Sequence, residues 1–141
     1  MKHVFLSYHD IHTDCIELAK IIKKKFKPEK LILISRGGLI PGSIIANYLG
    51  IQDIDVIALK TYSNRKRTNK IEIFKRIKSQ KKLVVIDDLV DSGETAKIVK
   101  SMMPNSKFVT LYAKTSEKKQ ADLHLYDFKD SDWLVFPWEQ D

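Results

Sequence analysis

Three aspartates, a glutamate and two hydroxyls crowd the stretch LVVIDDLVDSGETAKIVK, residues 83–100. Asp87 and Asp88 follow an apolar run, and Asp91 comes three residues after Asp88. Ser92, Gly93, Glu94 and Thr95 then lead into a helical pattern. Between a buried strand and a helix start, backbone N–H groups point outward unpaired and the helix dipole adds partial positive charge. Small residues permit close approach there, and the two hydroxyls can donate. Residues 91–95 therefore have the makings of a monophosphate cradle. The spacing differs from a P-loop, because G-x-x-x-x-G-K-[ST] is absent. Asp87 and Asp88 would repel a phosphate, so they are expected to hold something beside it. Vicinal ribose hydroxyls donate to carboxylates, and a magnesium ion can join through water. A ribose 5-phosphate is the ligand this spacing asks for. The plainer reading is a strand–turn–helix junction capped by Asp91 or Ser92. One cap accounts for one acid, not three.

The surrounding pattern supplies elements that could position these groups. TDCIELAKIIKKKF (13–26) reads as an amphipathic helix with acids near its start, lysines at its end and Pro28 beyond. LILIS (31–35) is a short apolar run, hence a buried strand, broken by RGG. PGSIIANYLG (41–50) reads as a helix with Pro41 in its first turn and Gly50 as its stop. DVIALK (55–60), KLVVIDD (82–88), KFVTLYAK (107–114) and ADLHLYD (121–127) read as further strands, and GETAKIVKSMM (93–103) as a helix stopped by Pro104. The polar, basic and aperiodic TYSNRKRTNK (61–70) reads as a mobile loop. Strands alternating with helices predict an α/β fold, a parallel sheet with helices on both faces. Such sheets bind ligands at the carboxyl ends of their strands. The unusual residues of this chain, SRGG, KTYS, DDLVDSGET and AK, fall at those ends.

Composition bounds the rest. A chain of 141 residues fits a single domain, 1–141, with one core of ordinary size. No stretch approaches the roughly 18 apolar residues that a membrane span needs, and the N-terminus lacks a signal-peptide core, so a cytoplasmic location is expected. The single cysteine, Cys15, excludes an internal disulfide and a cysteine-based zinc site, and its apolar helical setting assigns it to packing. The four histidines show no ligand spacing. The formal net charge of +7 suits a nucleic acid, a phosphate-rich small substrate or simply solvated lysine faces. For the lysines of IIKKKF the last reading is preferred, since they suit the negative pole of a helix end.

VVIDDLVDSGET resembles the phosphoribosyl pyrophosphate signature of type I phosphoribosyltransferases. The resemblance continues in order. ISRGGLIPG (34–42) is similar to that family's pyrophosphate loop. FVTLYAK (108–114) and DWLVFPWE (132–139) are similar to the purine-site elements of its xanthine-guanine branch. The resemblance runs from residue 31 to the end of the chain. It implies the family's parallel-sheet fold with a small C-terminal hood, magnesium as cofactor, and phosphoribosyl pyrophosphate and a purine base as partners. Nucleic acid is then not the expected partner, and a homo-oligomer, dimer or tetramer, is.

Carried over residue by residue, the resemblance implies the following. Arg36, Gly37 and Gly38 bind pyrophosphate, and Asp87 and Asp88 hold the ribose hydroxyls and organise magnesium. Ser92, Gly93, Glu94 and Thr95 hold the 5-phosphate. Asp91 faces N7 of the purine as acid or base, Lys114 donates to the 6-oxo group, Trp133 stacks near the base, and backbone around Leu134 faces the 2-position. The basic segment would be a lid over pyrophosphate, with Arg67 as its candidate contact. The sequence departs from the family at Val135, where relatives carry an acid, and guanine, xanthine and hypoxanthine stay open as bases. Two other readings stay open as well: a nucleotide-sensing RNA-binding or transcriptional regulator on the same fold, and an enzyme for another base. Lys114 argues against adenine, whose 6-amino group would face a cation with donors meeting donors. Phe136 and Trp138 are assigned to core packing.

Overall fold

The computed structural model describes the backbone of residues 1–63, 69–73 and 82–140. Among the described residues, eight strands and three α-helices follow one another. They are β1 (Lys2–Phe5), α1 (Tyr8–Lys25), β2 (Lys30–Ser35), α2 (Leu39–Leu49), β3 (Ile54–Ser63), β4 (Asn69–Ile73), β5 (Leu83–Val90), α3 (Glu94–Met102), β6 (Lys107–Lys114), β7 (Leu123–Phe128) and β8 (Asp132–Val135). The main sheet runs in the order β4-β3-β2-β5-β6-β7. Five of its strands are parallel, and β4 joins the edge antiparallel to β3.

The apolar runs become buried strands because both faces of the sheet are covered. Residues of β2 alternate between two cores. Leu31 and Leu33 pack with Ile11, Cys15, Leu18 and Ile22 of α1 and Ile45 of α2. Ile32 and Ile34 pack with Ala96 and Val99 of α3 and with Phe108. Gly42 of α2 makes one contact possible, since a Cβ there would lie 2.1 Å from Leu33 Cδ2. The helices thus lie on both faces, as the alternation of strands and helices requires.

Four expectations need correction. α1 begins at Tyr8 rather than near Thr13, because Ser7 and Asp10 form a capping box. Ser7 Oγ accepts from the Asp10 N–H at 3.0 Å, and Asp10 Oδ2 accepts from the Ser7 N–H at 2.9 Å. β5 does not stop at Asp88 but runs to Val90, so both acids sit within a strand. The stretch expected as one loop at 61–70 is in part a β-hairpin: Tyr62 pairs with Lys70 and Ser63 with Asn69. Backbone pairing carries it, without the apolar alternation that would have announced it. Residues 64–68, with Arg67 and most of the basic stretch expected as a lid, lie outside the described residues. Finally, the hood is not C-terminal alone. β8 pairs in parallel with β1, in the register His3 to Trp133 and Val4 to Leu134.

Candidate active site

In the sheet order, the chain leaves β2 toward β3 on one side and returns through β5 on the other. The carboxyl ends of β2 and β5 therefore border a crevice, the usual ligand position in open parallel sheets. The loops after these two strands are Arg36–Gly38 and Asp91–Gly93, the two stretches singled out by sequence.

They meet closely. A Cβ on Gly37 would lie 2.4 Å from Asp88 Oδ2, and one on Gly38 would lie 2.3 Å from the Ile86 carbonyl oxygen. Only glycine allows this approach. The Ser35–Arg36 peptide is cis. Arg36 itself is exposed, and no acid among the described residues pairs with it.

Asp87 is buried, 8% exposed, and Asp88 half-buried. Asp87 Oδ1 accepts from the Asp88 N–H at 2.9 Å, and Asp88 Oδ1 accepts from the Leu89 N–H at 2.7 Å. Burial, then the neighbouring charge of Asp88, pushes the Asp87 carboxyl well above the ordinary range. Burial also raises Asp88, and the charge of Glu139 adds to it. No lysine or arginine among the described residues pairs with either acid. Two adjacent carboxyls, one buried and one half-buried, without a cation are the donor set that a hard, oxygen-seeking ion fits, provided substrate and water complete its shell. Magnesium meets that description.

The turn after β5 is not an ordinary cap. The N-cap of α3 is Gly93, at φ 81°, and no side chain caps the helix. Ser92 Oγ lies 3.4 Å from the Glu94 N–H. Asp91 turns instead to Lys114 at the end of β6, with Nζ 2.6 Å from Asp91 Oδ1. That contact raises the lysine's pKa above its ordinary value. Both residues line a cleft of about 360 Å³, with Leu89, Phe128, Trp133 and Leu134 as apolar walls. Trp133 is half exposed there. An adjoining hollow of about 200 Å³ is bordered by Asp87, Asp88, Asp91, Ser92, Gly93 and Thr95. Leu89 and Asp91 belong to both spaces. Lys114 is thus not a solitary surface lysine. Phe136 is fully buried and stacks on Trp138 at 4.8 Å, in the packing role expected of both.

A family model for the phosphoribosyl transferase domain matches residues 6–140. The chain belongs to the phosphoribosyl transferase family. The xanthine-guanine phosphoribosyltransferase of Desulfotalea psychrophila is 35% identical over 136 residues, covering 95% of this chain and 84% of the relative. That of Idiomarina loihiensis is 31% identical over 141 residues, covering 98% and 88%. The crystal structure of a purine phosphoribosyltransferase from Pyrococcus horikoshii superposes with a TM-score of 0.88 at 28% identity, covering 100% of this chain and 97% of that one. The phosphoribosyltransferase fold expected from the two loop motifs is the fold observed.

In this phosphoribosyltransferase Asp87, Asp88, Asp91, Ser92, Gly93, Thr95, Lys114, Trp133 and Leu134 border the two spaces, and Gly37 lies against Asp88. Arg36 and Glu94 line neither, and Arg67 lies outside the described residues. Sequence reasoning missed the acids of the hood. Asp130, Asp132 and Glu139 also line the larger cleft, as does Met1. Glu139 lies within the quoted DWLVFPWE, yet nothing in its spacing tells that the hood swings it toward Asp88.

Proposed function

We propose that the protein transfers ribose 5-phosphate from phosphoribosyl pyrophosphate to N9 of a 6-oxopurine, guanine, xanthine or hypoxanthine, and releases pyrophosphate. The observation that carries this reading is the Asp91–Lys114 pair, which lines a cleft that opens beside the glycine-turn cradle. An ammonium only donates and a 6-oxo group only accepts, so Lys114 suits O6, and Asp91 beside it suits N7. The names of the xanthine-guanine relatives support the same base class.

In the reaction the bond from the anomeric carbon to pyrophosphate oxygen breaks, and the bond to N9 forms. Positive charge builds on the ribose, as in other glycosyl transfers. The backbone N–H groups of Ser92 to Thr95 hold the 5-phosphate, and Asp87 and Asp88 hold the ribose hydroxyls. Gly37 and Gly38 let backbone N–H groups reach the leaving pyrophosphate, with Arg36 adding charge. Asp91 takes up the proton that the purine gives up, and Trp133 covers the base. Anchoring both sides of the anomeric carbon makes the attack effectively intramolecular. Magnesium, held through Asp87 and Asp88 together with the substrate, would supply charge neutralisation for pyrophosphate.

Residues 1–141 act as one unit in this reading, in a dimer or tetramer that sedimentation can count. Among the described residues no helix is long and apolar enough to cross a membrane, and we place the reaction in the cytoplasm. The test is a base panel: protein, phosphoribosyl pyrophosphate, magnesium and each of guanine, xanthine, hypoxanthine and adenine, with pyrophosphate release measured. Release with the 6-oxopurines and not with adenine is expected. Release with no base would favour the nucleotide-sensing regulator.

A further inference from the structure

Gly93 is buried, although Asp91 and Ser92 on the same turn are exposed. What covers it comes from another part of the chain. The three atoms nearest to a Cβ at Gly93 all belong to Gln120: Cγ at 2.7 Å, Cδ at 3.1 Å and Cβ at 3.5 Å. Gln120 ends the 3-10 turn Thr115–Gln120, which starts directly after Lys114. One short turn therefore meets the Asp91–Gly93 loop twice, through Lys114 on Asp91 and through Gln120 on Gly93.

This turn is anchored at both ends. Thr115 Oγ1 donates to the Phe128 carbonyl at 2.9 Å, and Asp130 Oδ1 accepts from the Ser116 N–H at 3.1 Å. Two residues past Gln120, Asp122 closes onto the start of β6. Its N–H donates to the Phe108 carbonyl at 2.8 Å, and its Oδ2 accepts from the Phe108 N–H at 2.7 Å. Lys100 of α3 reaches Asp122 Oδ1 at 3.5 Å. Gln120 thus stands on a support tied to β6, β7 and α3. Gly93, at φ 81°, has neither a side chain nor a cap to hold itself in place.

We propose that Gln120 is a positioning residue for the ribose 5-phosphate end of the substrate, the back wall against which the Asp91–Gly93 turn is set. The N–H groups of that turn must converge on one phosphate, and small misplacements of binding groups cost rate and affinity steeply. The proposal rests on the function argued above for its substrate, and on packing alone for the role of Gln120. It needs the length of the side chain and not its amide, so Met, unbranched and similarly long, should replace it.

The experiment compares wild type, Gln120→Ala, Gln120→Asn and Gln120→Met. It measures ribose 5-phosphate binding by calorimetry, KM for phosphoribosyl pyrophosphate, KM for guanine, and thermal midpoint. Gln120→Ala should weaken ribose 5-phosphate and raise KM for phosphoribosyl pyrophosphate about tenfold, with KM for guanine changed less, because Lys114 still holds Asp91. Gln120→Met should stay within about twofold of wild type. If Gln120→Ala does not fold, Gln120→Asn, shorter by one methylene, takes its place with the same expected direction. Folded Ala or Asn variants that bind ribose 5-phosphate as wild type does would overturn the proposal. So would a Met variant as impaired as Ala. Wild-type turnover in the same series tests the proposed function separately, because ribose 5-phosphate binding is read without any base.

Discussion

Lys114 Nζ and Asp91 Oδ1 stand 2.6 Å apart, joining the end of β6 to the turn after β5. The two groups given separate duties toward the purine are one ion pair before any base arrives. A 6-oxopurine would share the pair, with the lysine turning to O6 and the carboxylate to N7. Lys114→Ala should therefore raise KM for guanine, xanthine and hypoxanthine together, with KM for phosphoribosyl pyrophosphate little changed. The gap to adenine should narrow, since the donor-only cation that a 6-amino group would face is gone. Steady-state kinetics on four bases decides this. A mutant with wild-type KM for every 6-oxopurine would remove the main support for the base class.

Asp91→Asn should lower kcat by about 10²-fold, as expected for a positioned proton-transfer group, and disturb phosphoribosyl pyrophosphate binding less. Because the two residues touch, their effects should not add. The Asp91→Asn, Lys114→Ala double mutant should lose less than the product of the single losses. Strict additivity would mean that the pair does not act as a unit in turnover.

Turnover should require a divalent cation. Asp87 and Asp88 supply oxygen donors, but no cluster of three metal-binding side chains exists among the described residues, so the ion must complete its shell with substrate and water. Excess chelator should abolish pyrophosphate release, and added magnesium should restore it. Undiminished release in chelator would contradict this reading of the two acids.

Gly37→Ala should harm phosphoribosyl pyrophosphate binding through Asp88. The new methyl would sit 2.4 Å from a carboxylate oxygen whose partner oxygen is held by the Leu89 N–H. Relieving that overlap must move either the pyrophosphate loop or the acid, at a cost of about 1–3 kcal/mol. KM for phosphoribosyl pyrophosphate should rise about tenfold or more. An unchanged KM would show that the loop and Asp88 part freely.

At the other end of the chain, the Ser7 backbone N–H holds the Asp10 carboxyl below its ordinary range. A lowered carboxylate pKa contributes stability above the unfolded value, and that contribution is lost as pH falls through the folded one. Thermal melts of wild type and Asp10→Ala should thus differ at neutral pH and converge in acid. A gap that persists at low pH would assign the difference to something other than the ionised cap.

The parallel sheet was legible because each central strand is an uninterrupted apolar run of β-branched residues and leucine, buried on both faces. Asp87, Asp88 and Asp91 were legible because negative charge directly after an apolar run calls for a partner. The hood was not. KHVF and DWLV are four residues each, and β1 is largely exposed, so neither carries a burial pattern. Their pairing joins residue 2 to residue 132, a contact no local pattern encodes. Asp132 lies on β8 itself, and Asp130 and Glu139 flank that strand in the chain, so their place at the cleft was equally hidden. The start of α1 escaped notice because its first turn is polar and its box uses Asp10 where Glu or Gln is the familiar signature.

The parallel pairing of β1 with β8 also has a practical side. Met1 lines the base cleft and so does Glu139, so the two share one doorway. An affinity tag fused ahead of Met1 would hang across that doorway and compete with purines for entry. Cleaving such a tag should restore guanine affinity without touching the phosphate half of the crevice.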